Sequence, residues 1–285
     1  MPASRAALAL HLAFAAAFLA LAVAPGAKAA PASGLADPEP IAQIPPPTPP
    51  RGASAVELAL YARLLEVHTR ATTTLAGTEV DYGSLVGSRE LDRLVAQVET
   101  SRPSQLDRPG QLAFWINAYN ILTLDLVRKH HPIASIKDIG SFFSPVWERT
   151  VATVEGRRLS LDAIEHTILR PMGEPRIHAA IVCASKSCPA LRRTPFRPET
   201  LEADLDDAVR RFLASPGKGV AIDRAAGTIR VSKIFDWFEA DFAAQGGVRA
   251  FLAAHLPPSE AAWLRGPGRD AAIRSFDYDW SLNGP

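Results

Sequence analysis

The chain has 285 residues, 47% of them hydrophobic and 21% charged, with a formal net charge of +1. This is the composition of an ordinary globular protein. So even a balance of charge leaves no electrostatic footprint for nucleic acid.

The first 29 residues stand apart. "MPASR" carries one charge, "AALALHLAFAAAFLALAV" is apolar, and Ala27-Lys28-Ala29 has the small-x-small form of a cleavage site. This is the pattern of a secretory signal peptide over 1–29. The alternative is an uncleaved membrane anchor, since the run approaches the ~20 apolar residues of a span. It is Ala-rich, however, and ends in Pro-Gly and a cleavage signal. No cysteine lies near the cut, which excludes lipid attachment through a lipoprotein-type cysteine. Cleavage removes Arg5 and Lys28 and no acid, taking the formal charge from +1 to −1. No later stretch is long and apolar enough to span a membrane. The expected location is therefore outside the cytoplasm, periplasmic or secreted. Residues 30–52 are proline-rich and carry few apolar side chains, which predicts a disordered, extended linker. From 53 to 285 there is no internal repeat and no Pro/Gly break, so one monomeric domain is expected.

Within that domain, helical spacing over Val56–Thr69 (Leu58, Leu60, Leu64, Leu65, His68) predicts the first helix. Val80-Asp81-Tyr82 reads as a short extended piece. Ser88 is a candidate N-cap for a helix to Val98. "QLAFWINAYNILTLDLVRKHH", about 111–130, is apolar nearly all round and predicts a buried central helix. Asn117 and Asn120 share one of its faces; buried amides must be hydrogen-bonded, either anchoring loops or orienting site groups. "VWERTVATVEGRRLSL" predicts a hairpin turning at Glu155-Gly156. Ser160 then caps a helix Leu161–Arg170, on which Asp162, His166 and Arg170 line one face. "RIHAAIVCAS" predicts a central strand. A helix over Glu199–Leu213, a second hairpin in "GVAIDRAAGTIRVSK", further helical segments and an aromatic tail, "SFDYDWSLN", complete an α+β fold. It is expected to be mostly helical around a small antiparallel sheet.

The chemistry concentrates in "CASKSCPAL", which holds both cysteines. Export permits a disulfide, but so small a ring would contribute only ~2 kcal/mol. Metal binding would need His166 and His178 to complete a four-ligand set, without the usual paired spacing. The third reading makes Cys188 a nucleophile. Pro189 could open a helix, whose N-terminus would favour the Cys188 thiolate, while Cys183 would be an inert core thiol on the strand. A thiolate nucleophile needs a base. His68, His130, His131 and His255 read as packing or helix-end residues. A strand from His178 to Ala184 advances ~20 Å at about 3.3 Å per residue, and four residues return at most ~14 Å. His166 is therefore the better-placed base, with Asp162 to orient its ring. Glu165 projects about 100° away around the helix, open to substrate or to another helix.

The motifs "LAFWINAYN", "SLDAIEHTILRP", "PRIHAAIVCASKSCPAL", "VSKIFDWFEADF" and "YDWSLN" resemble the family called domain of unknown function 547, in order, from about Val56 to Asn283. Bacterial members are typically exported. The family's recurring polar positions map onto Asn117, Asn120, Glu165, His166, Arg170, His178, Ser187 and Cys188. A Glu-His pair followed by a Cys-Pro turn is more distantly similar to papain- and transglutaminase-like thiol enzymes, with the chain order of papain reversed. The Cys188 turn beside two histidines makes a thiol-dependent hydrolase of a peptide or amide substrate the leading expectation. Cys188, His166, Glu165, Asp162 and His178 would be its catalytic groups, and Asn117, Asn120, Arg170 and Ser187 would bind substrate. No cofactor or metal is expected. The alternative is a non-catalytic periplasmic binding or scaffold protein.

Overall fold

A computed structural model describes residues 56–141 and 145–285. The expected signal peptide (1–29) and linker (30–52) lie outside the described residues. The fold is α+β, dominated by helices that surround one long central helix, Arg108–Arg128. Asp107 caps its start by accepting from the Gly110 N–H, and Pro109 occupies the first turn, where no intrahelical N–H is required. From Leu112 to Arg128 every residue is buried, as the all-round apolar pattern requires. Its one acid-base pair, Asp125 and Arg128, is closed internally at 2.6 Å.

Helices Leu58–His68 and Arg89–Thr100 pack on one side of this axis, the second capped by Ser88 as its sequence predicts. Among the described residues three small sheets stand in place of the single expected one. Thr69–Ala71 pairs antiparallel with Thr78–Val80. Thr150–Val154 pairs with Arg157–Ser160 through a turn at Glu155 (φ 49°) and Gly156 (φ 76°), the left-handed pair a tight hairpin demands. Val220–Asp223 and Thr228–Val231 form the second predicted hairpin, to which Ala272–Ser275 adds a parallel strand. Among the described residues no helix is long and apolar enough to cross a membrane.

Two local expectations fail near the cysteines. Residues 177–183 are not a strand: Pro175–Ala179 is a 3-10 turn, followed by irregular chain. The apolar run is explained by burial alone, with hydrogen bonds supplied by side chains and by the tail. Nor does a helix follow Cys188. Residues 189–197 are irregular, and the next helix, Leu201–Leu213, begins well beyond them. The expected helix N-terminus beneath the Cys188 sulfur is absent.

Candidate functional site

A half-open cleft of about 180 Å³ lies between residues 162–166, the cysteine loop and an aromatic rim. Its helical wall starts at Ser160, whose Oγ accepts from the Ala163 N–H. After Ala163 the helix widens into a π-helical stretch, Ile164–Leu169, a distortion that frequently marks functional sites. It carries Glu165 and His166, while Asp162 lies just before it.

The two candidate bases have opposite surroundings. His166 is exposed at the cleft mouth. Its Nδ1 accepts from Arg170 Nη1 at 2.6 Å, and its Nε2 lies 3.5 Å from Asp162 Oδ1. With Nδ1 already holding a guanidinium proton, the ring has no free lone pair for a thiol. His166, the base expected from the sequence, is thus engaged with Arg170 and Asp162. His178 is buried and stacks on Phe238 at 4.2 Å. Its Nε2 bonds Asp241 Oδ2 at 2.8 Å, which leaves Nδ1 facing Glu165 Oε1 at 3.9 Å. Burial outweighs Asp241 and lowers the His178 pKa to about 4, so the ring is neutral near pH 7. Asp241 is itself fixed by two parallel bonds from Arg170, at 2.7 and 2.8 Å, which hold its carboxyl below the usual range. Arg170, expected to bind substrate, is thus engaged with Asp241 and His166.

Glu165 is the unusual acid of the site. Burial, with the nearby Cys183 adding like charge, raises its pKa to about 7. Tyr119, on the central helix, donates its hydroxyl proton toward Oε2 at 3.5 Å.

The opposite wall is the loop 180–188, which is held by long-range contacts. Asn120 donates to the Ala180 carbonyl at 3.0 Å and accepts from the Val182 N–H at 2.8 Å. Asn117 clamps Phe196 in the same two-point manner, at 2.8 and 3.0 Å. Both amides are consumed by backbone groups, so they shape the site by fixing loops; neither lines the cleft. The tail adds a second set of anchors. The N–H groups of Lys186 and Ser187 donate to Ser281 and Asp279, and the Asn283 N–H donates to Ala184. Ser187 Oγ accepts from the Asp279 N–H at 2.9 Å, so its hydroxyl also serves the loop. Lys218, almost wholly buried, gives its ammonium protons to the carbonyls of Ala76, Lys186 and Cys188 at 2.9, 3.1 and 2.6 Å. Burial lowers its pKa to about 8.

Within this frame both cysteines are free, and their sulfurs lie 2.7 Å apart. Ala184, between them, is held at φ 63°, a left-handed conformation that costs a non-glycine residue of order 1 kcal/mol. Cys188 is buried and its thiol proton points to Cys183. Burial raises the Cys188 pKa, whereas that donated proton, with Ser185 and Tyr278 beside the sulfur, lowers that of Cys183. Ser185 Oγ is 3.2 Å and Tyr278 Oη 3.5 Å from Cys183 Sγ. The sequence reading places the reactive thiol at Cys188 and the inert one at Cys183. Both line the cleft with Glu165 and His178, and Cys183 is the less buried of the two.

Residues 103–213 match the family model described as Protein of unknown function, DUF547. The matched segment takes in the central helix, the π-helical wall, His178 and both cysteines. Lys218, Asp241 and the tail, which complete the site, lie beyond it. No curated protein and no solved structure matches the chain.

Sequence reasoning missed Asp241, Tyr119, Tyr278 and Lys218. Asp241 and Tyr278 sit inside the quoted motifs "IFDWFEADF" and "YDWSLN", and that was their only signal. Among the described residues no group of three or more His, Cys, Asp and Glu is arranged to hold a metal ion.

Proposed function

We propose that the cleft is a thiol acyl-transfer site and that the protein is an exported hydrolase of peptide or amide bonds. In this reading Cys183 is the nucleophile, Glu165 the proton carrier, and His178, positioned by Asp241, the neutral partner of Glu165. The observation that carries it is the cleft-lining Cys183 sulfur, hydrogen-bonded by a buried thiol and sharing the cleft with a buried carboxyl of pKa about 7.

The chemistry follows from those protonation states. The Cys183 thiolate attacks the carbonyl carbon and forms a C–S bond. The Tyr278 hydroxyl, beside the sulfur, is the donor available to the developing oxyanion. Protonated Glu165 gives its proton to the leaving nitrogen as the C–N bond breaks. The resulting carboxylate takes a proton from water, which hydrolyses the thioester and restores the Cys183 thiolate and Glu165 acid. A pKa near the working pH suits a group used in both directions. Asp162 and His166, exposed at the mouth, are placed to meet the parts of a substrate that remain outside. The likeness to papain- and transglutaminase-like enzymes is then one of shared residue types.

The test is Cys183→Ala against Cys188→Ala, read by iodoacetamide labelling and by turnover of a panel of fluorogenic peptides and amides. Cys183→Ala is expected to abolish both signals, and Cys188→Ala to retain labelling at Cys183. Hydrolysis that survives Cys183→Ala overturns the nucleophile assignment. A wild-type protein with no fast-reacting thiol returns the cleft to a binding or scaffold role.

A further inference from the structure

In acyl transfer Cys188 only lends its hydrogen bond to Cys183 and forms no bond of its own. It is a second thiol beside the first, more deeply buried, on a loop whose backbone is held by Asn120, Ser187 and Lys218. Its backbone is fixed because its carbonyl accepts from Lys218. The Cys183 N–H donates to the Cys188 sulfur at 2.9 Å, a contact that stabilises negative charge on the buried atom. The left-handed Ala184 reverses the chain so that the two side chains meet without a helix or strand to bring them together. Both cysteines line the cleft, but Cys183 is half-buried whereas Cys188 is 4% exposed, with its sulfur 2.7 Å from that of Cys183. That asymmetry divides the work of disulfide exchange. A mixed disulfide can form at Cys183, and only Cys188 can then reach it.

We propose that Cys183 and Cys188 are an attacking and resolving thiol pair that reduces small or peptide disulfides entering the cleft. The proposal rests on the reading of Cys183 as a reactive thiol, and is independent of amide hydrolysis. The Cys183 thiolate attacks one sulfur of the substrate, RS–SR′. A Cys183–SR bond forms, the S–S bond of the substrate breaks, and R′S⁻ leaves. Cys188 then attacks the Cys183 sulfur, its thiol proton passes to the departing RS group, and the Cys183–Cys188 bond forms. The two protein sulfurs supply two electrons and the substrate disulfide takes them. The oxidised pair has no free thiolate, so the same event closes the cleft to acyl transfer until a reducing thiol restores it.

The test uses the reduced full-length protein and dithiobis-nitrobenzoate, a coloured aromatic disulfide. Wild type is expected to release two nitrothiobenzoate ions per protein, the second at a rate independent of reagent concentration. It should carry no adduct by intact mass and have lost two hydrogens, reversibly with dithiothreitol. Cys188→Ala is expected to release one and to retain the aromatic adduct on Cys183. A wild-type protein that keeps one stable adduct, or two adducts on separate cysteines, overturns the proposal. Because the decisive reading is made on wild type, poor folding of the variant does not obscure it. Rapid iodoacetamide labelling at Cys183 together with a persistent mixed disulfide in wild type would sink the resolving role alone. Absence of any fast thiol would instead sink the reading beneath it.

Discussion

The two walls of the cleft are built by opposite means. The helical wall, 161–170, takes its form from neighbours in sequence: a Ser160 cap, a π-helical widening, and side chains that meet at i, i+4, such as Asp162 with His166 and His166 with Arg170. The cysteine loop has no regular structure. Its shape comes from Asn120 about 60 residues upstream, Lys218 about 30 downstream and a tail about 95 further on. The local wall is half-exposed and its charges are screened. On the loop wall Asn120, Ser187 and Lys218 are buried, so their hydrogen bonds act with less screening. Acidity at Cys183 is therefore a property of the tertiary fold, while the arrangement at His166 is one of the helix.

Removing a long-range anchor should injure the loop wall most. Lys218→Met keeps the buried stem and deletes the ammonium, leaving three carbonyls without a donor. A loss of about 3–5 kcal/mol in urea unfolding is expected, together with slower labelling of Cys183. An unchanged midpoint and labelling rate would show that the loop holds its shape without the clamp.

The next effect separates two buried groups through pH. The folded pKa of Glu165 is raised from 4.5 to about 7, so the folded state holds a proton there that the unfolded chain has lost. Its contribution to stability therefore falls as pH rises between these values. The folded pKa of His178 is lowered from 6.5 to about 4, so the unfolded chain holds the extra proton and stability rises with pH in that window. Between about pH 4.5 and 6.5 the two slopes oppose, and wild type should be nearly flat. Glu165→Gln should gain stability as pH rises from 4 to 6.5, and His178→Gln should lose it from 4.5 to 7, each by roughly 3 kcal/mol at 1.36 kcal/mol per unit. Urea midpoints across that range check this. Parallel slopes in both variants would mean that the two groups are not set apart by burial.

The smallest expected change is at Ala184. Glycine adopts φ 63° freely, but it loses more chain entropy on folding. Ala184→Gly should therefore shift stability by less than about 1 kcal/mol, while leaving the thiols within reach of each other. A large loss would identify the Ala184 methyl, which is buried, as a packing element of the loop.

The same contrast explains what could be read in advance. The central helix was legible because an apolar run of that length can only be a buried helix, and the Glu155-Gly156 hairpin because its turn chemistry is local. The caps at Ser88 and Ser160 were legible for the same reason. Ile177–Cys183 was misread as a strand because a short apolar run satisfies a strand and a buried coil equally. What distinguishes them is Asn120, whose amide replaces a neighbouring strand as partner for Ala180 and Val182. The helix expected after Pro189 fails for a related reason: a proline that suits a first helical turn suits irregular chain equally. Asp241 looks, in sequence, like any acid on a short amphipathic helix, and only the fold sets it between Arg170 and His178.

The tail has one more consequence, for the order in which the protein is assembled. Asn283 ties the strand Thr78–Val80 to the cysteine loop, accepting from Val80 and Tyr82 and donating to Ala184. Tyr278 brings its hydroxyl to Cys183 in the same segment. A growing chain that has already made both cysteines, Glu165 and His178 still lacks that hydroxyl and those anchors until residues 278–283 emerge. The cysteine loop can therefore close against its anchors only after residues 278–283 have been made.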